Sequence, residues 1–171
     1  MDIVFSTERL IARQLIHSDF PDFYDLQSNP KVMLYTGQEA MGLGECERDF
    51  YSVINRYSEV ENKFWVWAVC SKESNELLGT AAILINQSGN EIGYRFREKH
   101  WGNGYGVEIT KGLIDHAFST LNLSSVYAEV DQRNAPSIKI LDATMNKVKA
   151  FWNEESQTND YYYELSKNYV D

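Results

Sequence analysis

Residues 100–106 read His-Trp-Gly-Asn-Gly-Tyr-Gly, and apolar side chains then recur at three- and four-residue steps over residues 107–121. This spacing is typical of an amphipathic helix that packs one face on a sheet. The glycines lack a β-carbon, so a ligand can approach the backbone N–H groups closely. They precede a helix N-terminus, where free amide hydrogens and the helix dipole favour phosphate or pyrophosphate. The turn is therefore interpreted as an anion site, with an ordinary glycine-rich turn as the alternative.

Two common nucleotide-binding motifs do not match this turn. A dinucleotide fingerprint has Gly-x-Gly-x-x-Gly after the first strand, whereas the spacing here is Gly-x-Gly-x-Gly and lies late in the chain. A P-loop has Gly-Lys-Ser/Thr at the start of its helix, and that triplet is absent. Residues 91–96, before the turn, are predicted to form a strand. The unit is therefore a strand, a phosphate-type turn and a helix without either signature.

The run from Glu91 to Asn134 resembles the GNAT superfamily of acetyl-CoA-dependent N-acetyltransferases. The family signature is Arg/Gln-x-x-Gly-x-Gly/Ala before a long helix, and residues 101–106 fit it except that Trp101 stands first. This departure is similar to the RimJ/RimL-type branch, which acetylates the N-termini of ribosomal proteins. The likeness extends along nearly the whole chain, through Thr-Glu-Arg-Leu-Ile at 7–11, Asn-Pro-Lys-Val-Met at 29–33 and Asn-Ala-Pro-Ser at 134–137. It implies an acyltransferase that moves an acetyl group to a primary amine.

Length and cysteine content restrict the class of protein. The chain has 171 residues, which predicts a single N-acetyltransferase-like domain over residues 1–171. Cys46 and Cys70 have neither a metal nor a redox spacing, so free thiols in a reducing compartment are expected, and no metal is expected. Residues 1–5 lack a basic leader, and no apolar segment is long enough to span a bilayer. The protein is predicted to be cytoplasmic, without a membrane partner, as a monomer or homodimer.

The net charge bears on the partner. It is −9, which argues against nucleic acid as a partner, because backbone recognition depends on neutralising phosphates. An acidic surface attracts cationic substrates such as amines. The alternative is that the acidic surface only keeps the protein soluble, and this alternative stays open.

The order of the predicted elements indicates an α/β (α+β) domain, with a mixed, mostly antiparallel sheet of about six to seven strands flanked by helices. Strands are expected at residues 9–13, 64–70, 77–86, 91–96, 125–130, 147–153 and 160–165. The second to fourth of these read as an antiparallel meander, and the last two as a closing hairpin. Helices are expected from Ser18, over residues 45–60, after the glycine turn, and from Asn134 through Met145.

The resemblance assigns the residues that bind acetyl-CoA. Pantetheine is expected to pair with the backbone of Phe96 and Tyr94, on the strand before the turn. Pyrophosphate is expected on the backbone N–H groups of the turn, namely those of Gly102, Asn103, Gly104, Tyr105 and Gly106. Asn134 matches the family's CoA-contacting asparagine.

Catalytic residues are assigned in the same way. Ser137 is expected to protonate or hydrogen-bond the departing thiolate, although Asn134 and Ser137 also fit a helix N-terminus. Glu91, Glu154 and Glu155 are candidates for a general base, the last two lying where RimL-like proteins carry an acid after the last helix. Exposed turn carboxylates are the alternative reading for these glutamates. Proton transfer through water would make a dedicated base unnecessary.

The acceptor is inferred from amine acidity. At pH 7 roughly a tenth of an α-amine is neutral, but under about a thousandth of a lysine-like amine. Because no base stands out in the sequence, a peptide or protein N-terminal α-amine, or an amine of similarly low pKa, is predicted. An acetyltransferase for a small-molecule amine (a polyamine, an aminoglycoside or similar) and a non-catalytic acyl-CoA-binding sensor are the alternatives.

Overall fold

Eight strands form one sheet in the computed structural model, which describes residues 2–167. The strands are β1 (Ile3–Ser6), β2 (Leu10–Arg13), β3 (Phe64–Ser71), β4 (Leu77–Asn86), β5 (Gly89–Phe96), β6 (Ser125–Asp131), β7 (Asn146–Asn153) and β8 (Thr158–Ser166). The helices are α1 (Phe20–Gln27), α2 (Pro30–Met33), α3 (Leu43–Arg56), α4 (Tyr105–Asp115) and α5 (Ala135–Asp142). A π-helical turn, His116–Thr120, continues α4.

The strand order is β1-β2-β3-β4-β5-β6-β8-β7. Within residues 2–167 every neighbouring pair is antiparallel except β5 and β6, which run parallel. The predicted class, a mixed and mostly antiparallel sheet flanked by helices, is confirmed. The sheet has more strands than the predicted six to seven. The additional strand is β1, a short and partly exposed edge strand whose burial does not alternate, so it carries no period-two signal.

Two apolar cores lie on opposite faces of the sheet. On the face here called the back, α4 and α5 pack against β3 to β6 through a cluster that includes Ile109, Leu113, Leu141, Ile83 and Ile92. On the front face, α1 and α3 pack over β3 and β4. The front of β5, β6 and β8 therefore lies beside these helices.

Two helices end earlier than the sequence predicts. The helix predicted from Asn134 through Met145 ends at Asp142, because the chain turns there and Met145 joins the back core before β7 begins. The helix predicted over residues 45–60 runs from Leu43 to Arg56. The antiparallel meander β3 to β5 and the closing hairpin of β7 and β8 are confirmed.

Both cysteines are buried and free, as predicted. Burial raises the pKa of Cys46 and of Cys70 to about 11, so each thiol stays protonated at neutral pH. Each behaves as a small apolar core residue rather than as a nucleophile.

Gly79 and Gly93, on the adjacent strands β4 and β5, provide a matched test of the sheet packing. A β-carbon on Gly79 would lie 2.0 Å from the carbonyl oxygen of Arg95 and 2.9 Å from Cα of Phe96, whereas one on Gly93 would meet nothing within 4 Å. Gly79→Ala is expected to lower the free energy of unfolding by about 3 kcal/mol, because the two backbones must move apart. Gly93→Ala is expected to be neutral or slightly stabilising. Urea unfolding followed by circular dichroism measures both; equal midpoints for the two variants would contradict this packing.

Candidate active site

The parallel strands β5 and β6 separate along their length. They pair at one position, Glu91 opposite Tyr127. At the start of β5 the Asn90 side chain also donates a hydrogen bond to the Ser125 carbonyl, at 2.9 Å. From Ile92 onward the edge of β5 that faces β6 is open, and this opening is here called the gap.

The backbone of β5 alternates between β4 and the gap. Arg97 donates its N–H to the Leu78 carbonyl at 2.9 Å, so Arg95 likewise faces β4, while Tyr94 and Phe96 face the gap. The Trp101 indole N–H donates to the Phe96 carbonyl at 2.8 Å, which ties the glycine turn to the strand. The N–H of Phe96 and both backbone groups of Tyr94 are thus directed to where an extended ligand would lie as an additional strand.

The glycine turn is held in a conformation that suits glycine. Gly102 and Gly104 have φ values of +79° and +77°, a region that side chains strain. Gly104 is the N-cap of α4, so the N–H groups of Tyr105 and Gly106 lie in the first turn of the helix, at the positive end of its dipole. The Asn103 side chain braces the turn by donating to two carbonyl groups before it, at 2.9 and 3.2 Å.

Arg9 reaches this turn from the loop between β1 and β2, an interaction that the sequence analysis missed. Its Nε donates to Glu108 Oε2 at 2.7 Å, its Nη1 donates to the Asn103 carbonyl at 3.0 Å, and its guanidinium lies 4.7 Å from the centre of the Tyr105 ring. Burial opposes ionisation of Glu108, but hydrogen bonds from Thr7 and Arg9 outweigh it and lower its pKa. Arg9 therefore neutralises a carboxylate that would otherwise repel an anion at the helix N-terminus.

The start of α5 lies close to the first turn of α4, which follows the glycine turn. Asn134 Oδ1 accepts a hydrogen bond from the Ser137 N–H at 3.2 Å, so Asn134 caps the helix, as its alternative reading proposed. A β-carbon on Gly106 would lie 2.5 Å from Cδ1 of Ile140, which shows how closely α4 and α5 approach. A larger residue at position 106 would make the Ile140 side chain move, whether or not the Gly106 N–H binds an anion.

Tyr94 points its side chain between the two helices. Its Oη is buried and makes no hydrogen bond of normal geometry within residues 2–167. Burial raises the Tyr94 pKa, and the Ser137 side chain lies close enough to oppose that rise. A buried hydroxyl without a partner is uncommon in folded proteins and favours a ligand atom at this point.

The front face of β5 carries Glu91, Gly93 and Arg95, since Ile92 and Phe96 belong to the back core. Burial raises the pKa of Glu91; a hydrogen bond from Tyr127, at 3.4 Å, lowers it and the charge of Glu155 raises it further. Glu91 is therefore a carboxylate of raised pKa beside the place where the strands diverge, as a general base requires.

Glu154 and Glu155 lie on the surface, in the turn between β7 and β8. Their contacts are local: the Gln157 side chain donates to the Glu154 carbonyl at 2.7 Å, and the Glu155 N–H donates to Asn153 Oδ1 at 3.0 Å. Glu155 is near enough to influence the pKa of Glu91. A direct catalytic role for either carboxylate stays a prediction.

The described part of the chain holds no group of three or more His, Cys, Asp or Glu side chains arranged to bind a metal ion. Over the same residues, no helix has the length and apolar character needed to cross a bilayer.

Comparison with known sequences identifies relatives. A family model for the acetyltransferase (GNAT) domain matches residues 9–144. The protein p20 of Bacillus licheniformis, named as an uncharacterized N-acetyltransferase, is 34% identical over 140 residues, which cover 80% of this chain and 78% of p20.

Solved structures with the same fold include proteins named as acetyltransferases. A GNAT-family acetyltransferase from Bacillus anthracis has a TM-score of 0.85 at 19% identity, over 96% of this chain and 98% of that one. Mycobacterium smegmatis RimJ, in complex with CoA-disulfide, has a TM-score of 0.79 at 13% identity, over 94% and 83%. Spermidine N-acetyltransferase from Vibrio cholerae, in complex with CoA and spermine, has a TM-score of 0.79 at 18% identity, over 95% and 99%. At these identities the similarity is one of fold.

Proposed function

The chain belongs to the GNAT family of acetyltransferases, and we propose that it transfers the acetyl group of acetyl-CoA to an α-amine, that of a peptide or of a related small molecule. The observation that carries this proposal is the gap between β5 and β6, which has a glycine turn and helix N-terminus at its open end and a carboxylate of raised pKa, Glu91, at its closed end. The resemblance to the RimJ/RimL-type branch gives the expectation of a peptide N-terminus.

The residues around the gap fit the chemistry of acetyl-CoA. Pantetheine would lie along β5 and pair with the gap-facing backbone of Tyr94 and Phe96. Pyrophosphate would lie on the N–H groups of residues 102–106, where the two left-handed glycines leave room for it. Asn134 Oδ1 already accepts the hydrogen bond that caps α5, so the side-chain NH2 group of Asn134 is the part that would contact CoA. These assignments are the ones that the sequence resemblance implies.

The transfer requires one bond to form and one to break. The neutral amine nitrogen attacks the thioester carbonyl carbon, the C–N bond forms, the C–S bond breaks, and the thiolate leaves. Glu91, directly or through water, takes the proton that the amine loses. A raised pKa suits this role, because the carboxylate then binds the proton of the amine more strongly.

The thiolate needs a hydrogen-bond donor when it leaves. Ser137 and the buried hydroxyl of Tyr94 lie together at the start of α5, on the side of β5 that bounds the gap. Either hydroxyl would stabilise the sulfur, and the proton that it donates can be replaced from solvent. Glu91 lies on the front face of β5 and the two hydroxyls on its back face, so a proposed donor and a proposed base would flank a thioester bound in the gap.

Ser137→Ala is the test of the donor. We expect CoA affinity to be retained, because the backbone cap from Asn134 does not use the Ser137 hydroxyl. Turnover is expected to fall on the order of tenfold, since one donor to the leaving group is lost. Ser119→Ala is the matched control, because it removes an exposed hydroxyl that donates to the Asp115 carbonyl at 2.6 Å. Its turnover should equal that of the wild type. Normal turnover in Ser137→Ala would contradict a role for Ser137 and would indicate Tyr94 as the donor to the departing thiolate.

The acceptor is tested by competition at pH 7. One peptide has a free N-terminus and a blocked lysine, and its counterpart has a blocked N-terminus and a free lysine. We expect the first to be acetylated faster, because far more of an α-amine is neutral at this pH. Faster acetylation of the lysine would refute an α-amine acceptor.

A polyamine is the second candidate acceptor. Glu91 and Glu129 both have pKa values raised chiefly by burial and further by neighbouring carboxylates, so a cation would relieve charge repulsion on this face. The structural neighbour from Vibrio cholerae is named as a spermidine N-acetyltransferase. Spermidine therefore belongs in the same competition as a third substrate.

A further inference from the structure

Arg95 lies at the middle of the front face with neutral partners. Its Nη1 donates to Gln27 Oε1 at 2.8 Å, and its Nη2 lies 3.4 Å from Gln38 Oε1. Nη1 also lies 3.8 Å from the sulfur of Met33. The guanidinium is thus surrounded by groups from α1, α2 and the loop that follows α2, and none of these three groups carries a charge.

Arg95 differs from Arg13 in having no direct ion pair within residues 2–167. Arg13 is buried, whereas Arg95 is partly buried, and Arg13 forms a bidentate ion pair with Asp19 at 2.6 and 2.8 Å. The charge of Asp49 attracts Arg95, but no direct hydrogen bond joins the two within residues 2–167; Gln27, whose Nε2 lies 3.5 Å from Asp49 Oδ2, contacts both side chains. A partly buried guanidinium without a direct carboxylate partner attracts anions, so an anionic ligand would be stabilised beside it.

Space for such a ligand lies next to Arg95. A β-carbon on Gly93 would meet nothing within 4 Å, so the front face is open there. Gly93 stands two residues from both Glu91 and Arg95, which corresponds to about 7 Å along the strand in each direction. A molecule over Gly93 can therefore present its amine towards Glu91 and another group towards Arg95.

We infer that Arg95 binds a carboxylate of the acceptor, and that the preferred substrate is an α-amine whose own molecule carries a carboxylate close to the amine. This inference rests on the proposed function and narrows it. Two sources supply this chemistry: a peptide with an acidic residue at or next to its N-terminus, and a free amino acid. A polyamine lacks the carboxylate and would leave Arg95 without a counter-ion.

Peptides that differ by one charge test this inference. Asp-Ala-Ala-Ala amide and Asn-Ala-Ala-Ala amide share a free α-amine and nearly the same shape, but the first alone has a carboxylate. We expect the wild-type protein to show a kcat/KM about tenfold or more higher for the aspartyl peptide. Free alanine and alaninamide, of which only alanine has a carboxylate next to its amine, form the second arm and separate the amino-acid source from the peptide source. A wild-type protein that acetylates the charged and uncharged members of both pairs equally well would overturn the inference.

Arg95→Gln links the preference to the residue. The ratio between aspartyl and asparaginyl peptides is expected to fall to about one, because the interaction that distinguishes them is lost. Arg95→Lys keeps the charge but loses the planar fork, and should keep part of the preference. Arg56→Gln, which removes an arginine placed 5.0 Å from the Phe64 ring, is the control and should leave the ratio unchanged.

The outcomes separate the two proposals. If no amine releases thiol from acetyl-CoA, the proposed function fails. If both peptides are acetylated but the ratio in Arg95→Gln equals that of the wild type, only the inference fails. If Arg95→Gln does not fold, the wild-type ratio and that of Arg95→Lys decide the matter.

Discussion

Gly104→Val is expected to abolish CoA binding while the far-UV circular dichroism spectrum stays that of the wild type. Gly104 has φ of +77° at the N-cap of α4, a conformation that a β-branched side chain cannot adopt without strain. The side chain would also project among the N–H groups proposed to hold pyrophosphate. Because the residue lies in a turn, the helices and strands are expected to remain. We expect a rise in Kd of about a hundredfold or more, as for the loss of several charge-assisted hydrogen bonds.

Gly42→Val is the matched control for this experiment. Gly42 is also the N-cap of a helix, α3, but its φ is −72°, and a β-carbon there would meet nothing within 4 Å. The same substitution should therefore leave CoA affinity unchanged. Isothermal titration with CoA measures both variants. Wild-type affinity in Gly104→Val would remove the phosphate assignment of the turn.

Glu91→Gln is expected to lower turnover by about a hundredfold to ten-thousandfold, the contribution typical of a general base. The side chain keeps its shape and can still hydrogen-bond Tyr127, so CoA binding should be retained. Initial rates of thiol release under saturating acetyl-CoA measure the effect. Glu154→Gln and Glu155→Gln are the comparison variants, since these two glutamates are also candidates for the base in the sequence analysis. If Glu91→Gln is active and Glu154→Gln or Glu155→Gln is inactive, the general base is the glutamate of the turn and not Glu91.

The same substitution makes a prediction about pH. The pKa of Glu91 is raised above its ordinary value of 4.5 in the folded protein, so the folded state binds this proton more tightly than the unfolded chain does. Its contribution to stability is therefore present below the unfolded pKa and is lost as pH rises through the folded pKa. Glu91→Gln should remove this loss and be at least as stable as the wild type at pH 7. Turnover of the wild type should decline as pH falls through the raised pKa, because the base becomes protonated.

Local patterns were sufficient to predict the centre of the fold. The glycine turn and α4 are adjacent in sequence, and a left-handed glycine followed by an apolar helical stripe is a short-range signal. The meander and the closing hairpin were also predicted, because their strands are aromatic and β-branched and are joined by polar turns. The end of α5 was not, because the burial of Met145 in the back core is a tertiary effect.

The residues missed at the site depend on contacts between distant parts of the chain. Arg9 and Glu108 are 99 positions apart, and neither belongs to a motif that specifies the other. Arg95 could have been placed on the front face from the alternation with Ile92 and Phe96, but its neutral partners come from α1, α2 and the loop after α2. The gap itself depends on how far β5 and β6 remain paired, and the period-two pattern within a strand does not encode its distance from a neighbour.

Release of free thiol from acetyl-CoA in the presence of a peptide with a free N-terminus tests the central claim most directly. We predict that thiol appears in equal amount with the peptide acetylated at its α-amine, as identified by mass spectrometry. Without an amine, or with Gly104→Val, no thiol should appear above background. CoA binding by the wild type without thiol release across peptides, amino acids and polyamines would contradict the account, and would indicate an acyl-CoA sensor instead.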